Sequence, residues 1–149
     1  MYSKVWIRKY LPEDKELLVE LLTLHVPDFF AESEIADYEN YLQHKTELYF
    51  VAESDNDIVG AGGINFDKEN RTAKISWDFT APHYQNKGVG RKLLEYRLAI
   101  LRNMPDVDRI TVRTSQLAFR FYEKSGFRLK TVEKDYWAKG FDLYDMELE

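Results

Sequence analysis

Apolar and polar positions along this chain alternate, then recur every three or four residues, then alternate again. Val5 to Arg8 alternate as a short strand, and "LPED" then opens a helix with proline and acids in its first turn. The apolar stripe of that helix runs Leu17, Leu18, Leu21 and Leu22 and ends before Pro27. "DFFAESE" predicts a loop, with Ser33 capping a second helix that runs through Tyr41 and Leu42. "ELYFVAES" and "DIVGAGGINF" predict two strands joined by a hairpin at Asp55-Asn56-Asp57, and "DKENR" predicts the next turn. From Ala73 to Thr80 the alternation is regular: Ala73, Ile75, Trp77 and Phe79 on one face, Lys74, Ser76, Asp78 and Thr80 on the other.

Helical spacing returns at Val89, Leu93, Leu94, Leu98 and Leu101, and Pro105 stops it. "RITVRT" predicts a strand, Ser115 to Ser125 a helix ended by Gly126, and residues 127–149 two strands around a loop. The order is strand, two helices, three strands, helix, strand, helix, two strands. A mixed α/β sheet follows, and at 149 residues without a linker or repeat, a single domain over 1–149 is expected.

Composition narrows the chemistry. Hydrophobic residues at 44% predict a globular chain, and a net charge of −5 disfavours nucleic acid and suits a cationic partner. No cysteine is present, which excludes disulfides and thiolate chemistry. His25, His44 and His83 lack metal-ligand spacing and read as scattered surface residues, so no metal is expected. With neither a signal-peptide core nor an apolar span, the expectation is a soluble cytoplasmic protein with no membrane partner.

Candidate chemistry centres on the turn Gln85-Asn86-Lys87-Gly88-Val89-Gly90, which leads from a strand into a helix. Helix-start N–H groups and the dipole attract phosphate, Gly88 and Gly90 permit close approach, and Lys87, Arg91 and Lys92 add positive charge. A diphosphate fits such a turn. The Walker pattern Gly-x-x-x-x-Gly-Lys-Ser/Thr is absent, and the dinucleotide fingerprint fails where Leu93 replaces its third glycine. Coenzyme A, a diphosphate carrying a thiol arm, is the other branch.

"FTAPHYQNKGVGRKLL" resembles the acetyl-CoA motif of the GNAT N-acetyltransferase superfamily, whose core is Gln/Arg-x-x-Gly-x-Gly/Ala. "SQLAFRFYEKSGF" resembles that family's second motif, Asn-x-x-Ala-x-x-x-Tyr-Glu-x-x-Gly-Phe, and "YDMELE" fits its usual last strand. The resemblance implies a central, mostly antiparallel twisted sheet of about seven strands flanked by about four helices. It also implies acetyl-CoA as acyl donor and a primary amine as acceptor, with direct attack in a ternary complex. Phe79, Thr80 and Ala81 would pair with the pantetheine through their main chain, and Gln85, Asn86, Lys87, Gly88, Val89, Gly90 and Arg91 would hold the diphosphate. Gly90 and Leu93 would pack the helix onto the sheet. Ser115 stands where the family often has asparagine, so it retains a helix cap while the side-chain amide is lost.

Tyr122 aligns with the family's general acid, and its phenol is protonated at neutral pH; from spacing alone it also reads as a core residue. The resemblance implies a glutamate base near the strand start, where Thr72 and Lys74 stand instead. Asp78 is the nearest candidate base, with Glu53 and an ordered water as alternatives. Around the first two helices, Phe29, Phe30 and Glu34, with Asp28, Glu32, Asp37, Tyr38 and Tyr41, would suit a small cationic amine. A peptide or protein amine, and a non-catalytic acyl-CoA-binding module, are the competing readings. Dimers are common in the family, so a homodimer is one state the resemblance admits.

Overall fold

The computed structural model describes residues 4–149. Strand β1 (Trp6–Lys9) leads through a 3-10 turn at Pro12–Asp14 into α1 (Lys15–Thr23) and α2 (Ser33–His44). Strands β2 (Leu48–Ser54), β3 (Asp57–Asp67) and β4 (Thr72–Thr80) follow, then α3 (Val89–Arg102), β5 (Arg109–Thr114) and α4 (Phe119–Lys124). A hairpin of β6 (Phe127–Ala138) and β7 (Phe141–Leu148) completes the chain. The element order is the one the pattern predicts.

All seven strands lie in one sheet, ordered β1-β2-β3-β4-β5-β7-β6. Neighbours pair antiparallel except β4 and β5, which are parallel; α3 is the crossover that a parallel pair requires. On one face, Leu18 and Leu22 of α1 and Tyr38, Tyr41 and Leu42 of α2 pack onto Tyr49, Val51, Ala61 and Phe79. On the other, Leu93, Leu94, Leu98 and Leu101 of α3 cover Phe50, Ala52, Ile64, Ala73, Ile75 and Val112. Among the described residues no helix is long and apolar enough to cross a membrane.

The strand alternation fails at one place, and it is the place that matters. Ala61 pairs with Phe79 and Gly63 with Ser76, so Trp77 and Asp78 together stand opposite Gly62. This is a β-bulge, with Trp77 at φ 49°, and the extra residue exchanges the faces beyond it. The four residues expected on one face are divided: Ala73 and Ile75 face α3, whereas Trp77 and Phe79 pack on the α1–α2 side. Asp78 is turned the opposite way, towards α3.

Smaller departures have local causes. Leu17 is 44% exposed, because α1 buries only the narrower stripe Leu18 and Leu22. Ser33 is the first residue of α2 and makes no cap hydrogen bond. Glu34 closes that helix start, its carboxylate accepting the Ala31 N–H at 2.8 Å. Helix α4 begins at Phe119, four residues late, since 115–118 form turns. Gln116 ties that segment to the β6–β7 hairpin, donating to Gly140 O at 2.7 Å and accepting from Asp142 N–H at 2.9 Å.

Candidate active site

Pairing between β4 and β5 ends at Ile75–Val112, although β4 runs on to Thr80 and β5 to Thr114. The strands splay, and a cavity of about 1140 Å³ opens between them. That exceeds the roughly 300–1,000 Å³ usual for small-ligand pockets, and its walls reach from the α1–α2 loop to α4.

Two sequence-derived catalytic candidates meet on that wall. The bulge turns Asp78 inward, and α4 carries Tyr122, whose hydroxyl donates to Asp78 Oδ2 at 2.7 Å. Tyr122 is only 5% exposed and sits edge-on to Phe121 and Phe127. Burial, then the adjacent Asp78 carboxylate, hold its phenol well above the ordinary tyrosine range, so it stays protonated. Asp78 is 14% exposed at its side chain and forms an ion pair with Arg97, a residue of α3 at 0% exposure. Burial raises the Asp78 carboxyl, while the Arg97 charge and the Tyr122 hydrogen bond oppose the rise. The carboxylate is no solvated surface group but a group tuned by burial.

Glu53, the other side chain considered as base, is elsewhere. It pairs with Arg8 and does not line the cavity. No acid stands at the strand start either: Thr72 is buried and its hydroxyl donates to Asn70 O.

At the mouth, a 3-10 turn at Pro82–Tyr84 leads to Gly88, the cap of α3, at φ 84°. An L side chain is strained at that dihedral, so glycine suits the turn. Lys92 N–H reaches back to Gly88 O at 3.0 Å; the N–H groups just before it start the helix without an intrahelical carbonyl. Gln85, Asn86, Gly88, Gly90 and Arg91 line the cavity, whereas Lys87 and Val89 do not. Lys87 is exposed with Nζ over the Tyr84 ring, and Val89 is a core residue beside Leu93.

Phe79, Thr80 and Ser115 line the cavity too. Ala81 does not fit its expected part, because its N–H already donates to Val59 O at 2.8 Å, and the main chain of Phe79, on the same edge, pairs with Ala61 of β3. Since successive strand residues direct their N–H groups to opposite edges, that bond leaves the Thr80 N–H facing the split. The Ser115 hydroxyl accepts the Leu117 N–H at 3.2 Å, a cap on the turn.

The end of the cavity towards α1 and α2 holds Phe29, Phe30 and Glu34 together, as the sequence suggested. His25 joins them and corrects an expectation. It is 4% exposed, Nε2 lies 2.7 Å from Thr80 O, and Phe29, Phe30 and Phe79 surround its ring. Its place in the apolar stripe after Leu18 and Leu22 was the available signal. Arg97 carries no sequence-derived role: it falls within the stripe of Leu93, Leu94, Leu98 and Leu101, but a charged side chain reads as solvent-facing from composition alone.

The family model for the acetyltransferase (GNAT) domain matches residues 23–149. No curated protein matches the chain significantly. Among solved structures, a GNAT-family protein from Desulfovibrio desulfuricans superposes with a TM-score of 0.81 at 25% identity, covering 98% of this chain and 99% of its own. The ribosomal-protein alanine N-acetyltransferase from Escherichia coli gives 0.78 at 21% identity, with 97% and 93% covered. An aminoglycoside 6'-N-acetyltransferase in complex with coenzyme A gives 0.75 at 15% identity, with 95% of both chains covered.

Proposed function

The chain belongs to the GNAT acetyltransferase family, and from that premise we propose that it moves an acetyl group from acetyl-CoA to the primary amine of a small amino compound within a ternary complex. The observation that carries this reading is the Tyr122–Asp78 pair, a proton donor and a proton acceptor 2.7 Å apart on the wall of one long cavity. Amine acetylation needs both.

The diphosphate would rest on backbone amides between Gln85 and Arg91, and the pantetheine arm along the unpaired edge of β4 at Thr80. That course leads the thioester to the split between β4 and β5. The amine would enter beside Phe29, Phe30, His25 and Glu34, where aromatic faces and a carboxylate suit a cation. Holding both reactants in one cavity supplies much of the rate enhancement. The amine nitrogen attacks the thioester carbonyl, whose oxygen is polarised by the Thr80 N–H. Asp78 takes the amine proton and Tyr122 protonates the departing sulfur. A small acceptor fits best, because aromatic rings and α2 wall the acceptor end; the aminoglycoside enzyme of the same fold acts on a compound of that class.

Thiol release from acetyl-CoA, followed across a panel of small amines and peptides, tests the reading. Release with small amines is expected; release with peptides alone would make the acceptor a protein, and binding without release would make the domain a non-catalytic module. Tyr122→Phe should lower turnover roughly 100-fold while calorimetry shows unchanged acetyl-CoA affinity.

A further inference from the structure

Arg97 occupies a position that the core would fill more simply with leucine. It sits in α3 among Leu93, Leu94, Leu98 and Leu101, at 0% exposure, where a charge is unfavourable unless fully partnered. Its partners are specific. Nε donates to Leu93 O at 3.1 Å and Nη1 to Gly63 O at 3.0 Å, so two main-chain carbonyls fix the plane of the guanidinium. Nη2 contacts Asp78 Oδ1 as an ion pair, outside hydrogen-bond alignment. Space for this comes from Gly62, where a Cβ would stand 2.0 Å from Asp78 Oδ1. A buried ion pair seldom beats apolar packing for stability, so such machinery points to chemistry. Arg97 itself does not line the cavity; Asp78 and Tyr122 do.

We propose that Tyr122, Asp78 and Arg97 form one proton relay, in which Asp78 hands the proton taken from the amine to Tyr122 as the phenol protonates the sulfur. Arg97 is the positioning residue. It holds one carboxylate oxygen so that the other stays on the phenol, and it keeps the carboxylate able to accept. The inference rests on the acetyltransferase reading above. Its balance is closed: the N–C bond forms, the C–S bond breaks, and one proton passes from nitrogen to Asp78. The Tyr122 proton goes to sulfur, and the Asp78 proton restores the phenol. Base and acid are therefore regenerated together, without a separate exchange with solvent.

Two side chains act on Asp78, Arg97 from α3 and Tyr122 from α4, and the Asp78 charge in turn reaches Tyr41 of α2 and Tyr49 of β2. The three tyrosines are held neutral at physiological pH by burial, which leaves Arg97 as the charge that sets when the carboxylate ionises.

The test is the pH dependence of kcat and kcat/KM for the wild type and for Arg97→Met and Arg97→Lys, together with a double-mutant cycle of Asp78→Asn and Tyr122→Phe. In Arg97→Met the carboxyl loses its counter-charge, so the acidic limb should move up by about one pH unit or more. Turnover at neutral pH should fall at least tenfold, with acetyl-CoA affinity unchanged. Arg97→Lys should restore the limb but not the full rate, since it returns the charge without the planar fork. Within the cycle, the double variant should lose no more than the worse single variant, as residues acting as a unit do. Wild-type limb and turnover in Arg97→Met overturn the relay, and so do losses that multiply in the cycle. If circular dichroism shows Arg97→Met unfolded, the cycle decides alone, because it leaves α3 untouched. A wild type that releases no thiol with any amine ends the acetyltransferase reading itself; failure of the relay alone leaves wild-type turnover intact.

Discussion

A hydrogen atom in place of a side chain at residue 62 lets a carboxylate and a guanidinium meet beside this sheet. A Cβ there would lie 2.0 Å from Asp78 Oδ1 and 2.7 Å from the Arg97 guanidinium carbon, distances that require one group to move. Arg97 cannot retreat into the leucines of α3 without leaving its charge unpaired. We expect Gly62→Ala to reduce unfolding free energy by about 2–4 kcal/mol and to depress turnover by displacing Asp78. Denaturant unfolding and thiol-release assays check both; wild-type values in each would show that the pair tolerates the methyl group. The bulge opposite Gly62 is what turns Asp78 away from the face that strict alternation gives it. One unpaired residue in β4 decides which way it points.

Elements meet at corners, and the corner between β1 and α1 carries its own pH dependence. The Asp14 carboxylate accepts from Arg8 Nη1 and Nη2 at 2.8 and 2.9 Å and from the Leu11 N–H at 2.8 Å. Bonding to Arg8 holds the Asp14 carboxyl below its usual range; burial opposes this and the Leu11 bond assists. A depressed folded value means that the stabilisation is fully present above the unfolded value of about 4, and is lost as pH falls through the lower, folded value. Asp14→Ala should therefore cost about 1.5–3 kcal/mol at pH 7. The gap from wild type should narrow on acidification below about pH 4. Equal gaps at pH 7 and pH 2.5 in urea titrations would remove the ion pair as the cause. Helix α4 makes the complementary point: Gln116, held by the hairpin, delays the helix to Phe119, and the phenol of Tyr122 still reaches the cavity.

At the scale of the whole molecule, two helical layers hold a sheet that parts along its one parallel pair, and a ligand lying in the part should brace both halves. A ligand that binds only the folded state stabilises it by about 2.7 kcal/mol at a hundredfold excess over Kd. For a chain of this size that raises Tm by roughly 5–10 °C. Acetyl-CoA and coenzyme A should both produce the shift and NADH should not, in a thermal melt at equal concentrations. A rise with NADH of the same size would assign the glycine turn to diphosphates in general. Much of this architecture was legible beforehand: element order, the stop at Pro105, the glycine turn, and the Tyr122 motif. The His25–Thr80 contact, the used N–H of Ala81 and the part played by Arg97 were not. Each depends on a partner distant in sequence.

The chain by itself determined the periodicities, because side-chain direction repeats every two or 3.6 residues and apolar faces must be covered. It also determined where a phosphate could be met, because helix-start amides and glycine dihedrals are local properties. Only the tertiary structure decided that Asp78 faces Tyr122 and Arg97. A bulge changes parity by one residue, and its position is set by strand pairing across the sheet, which leaves no local mark on the chain.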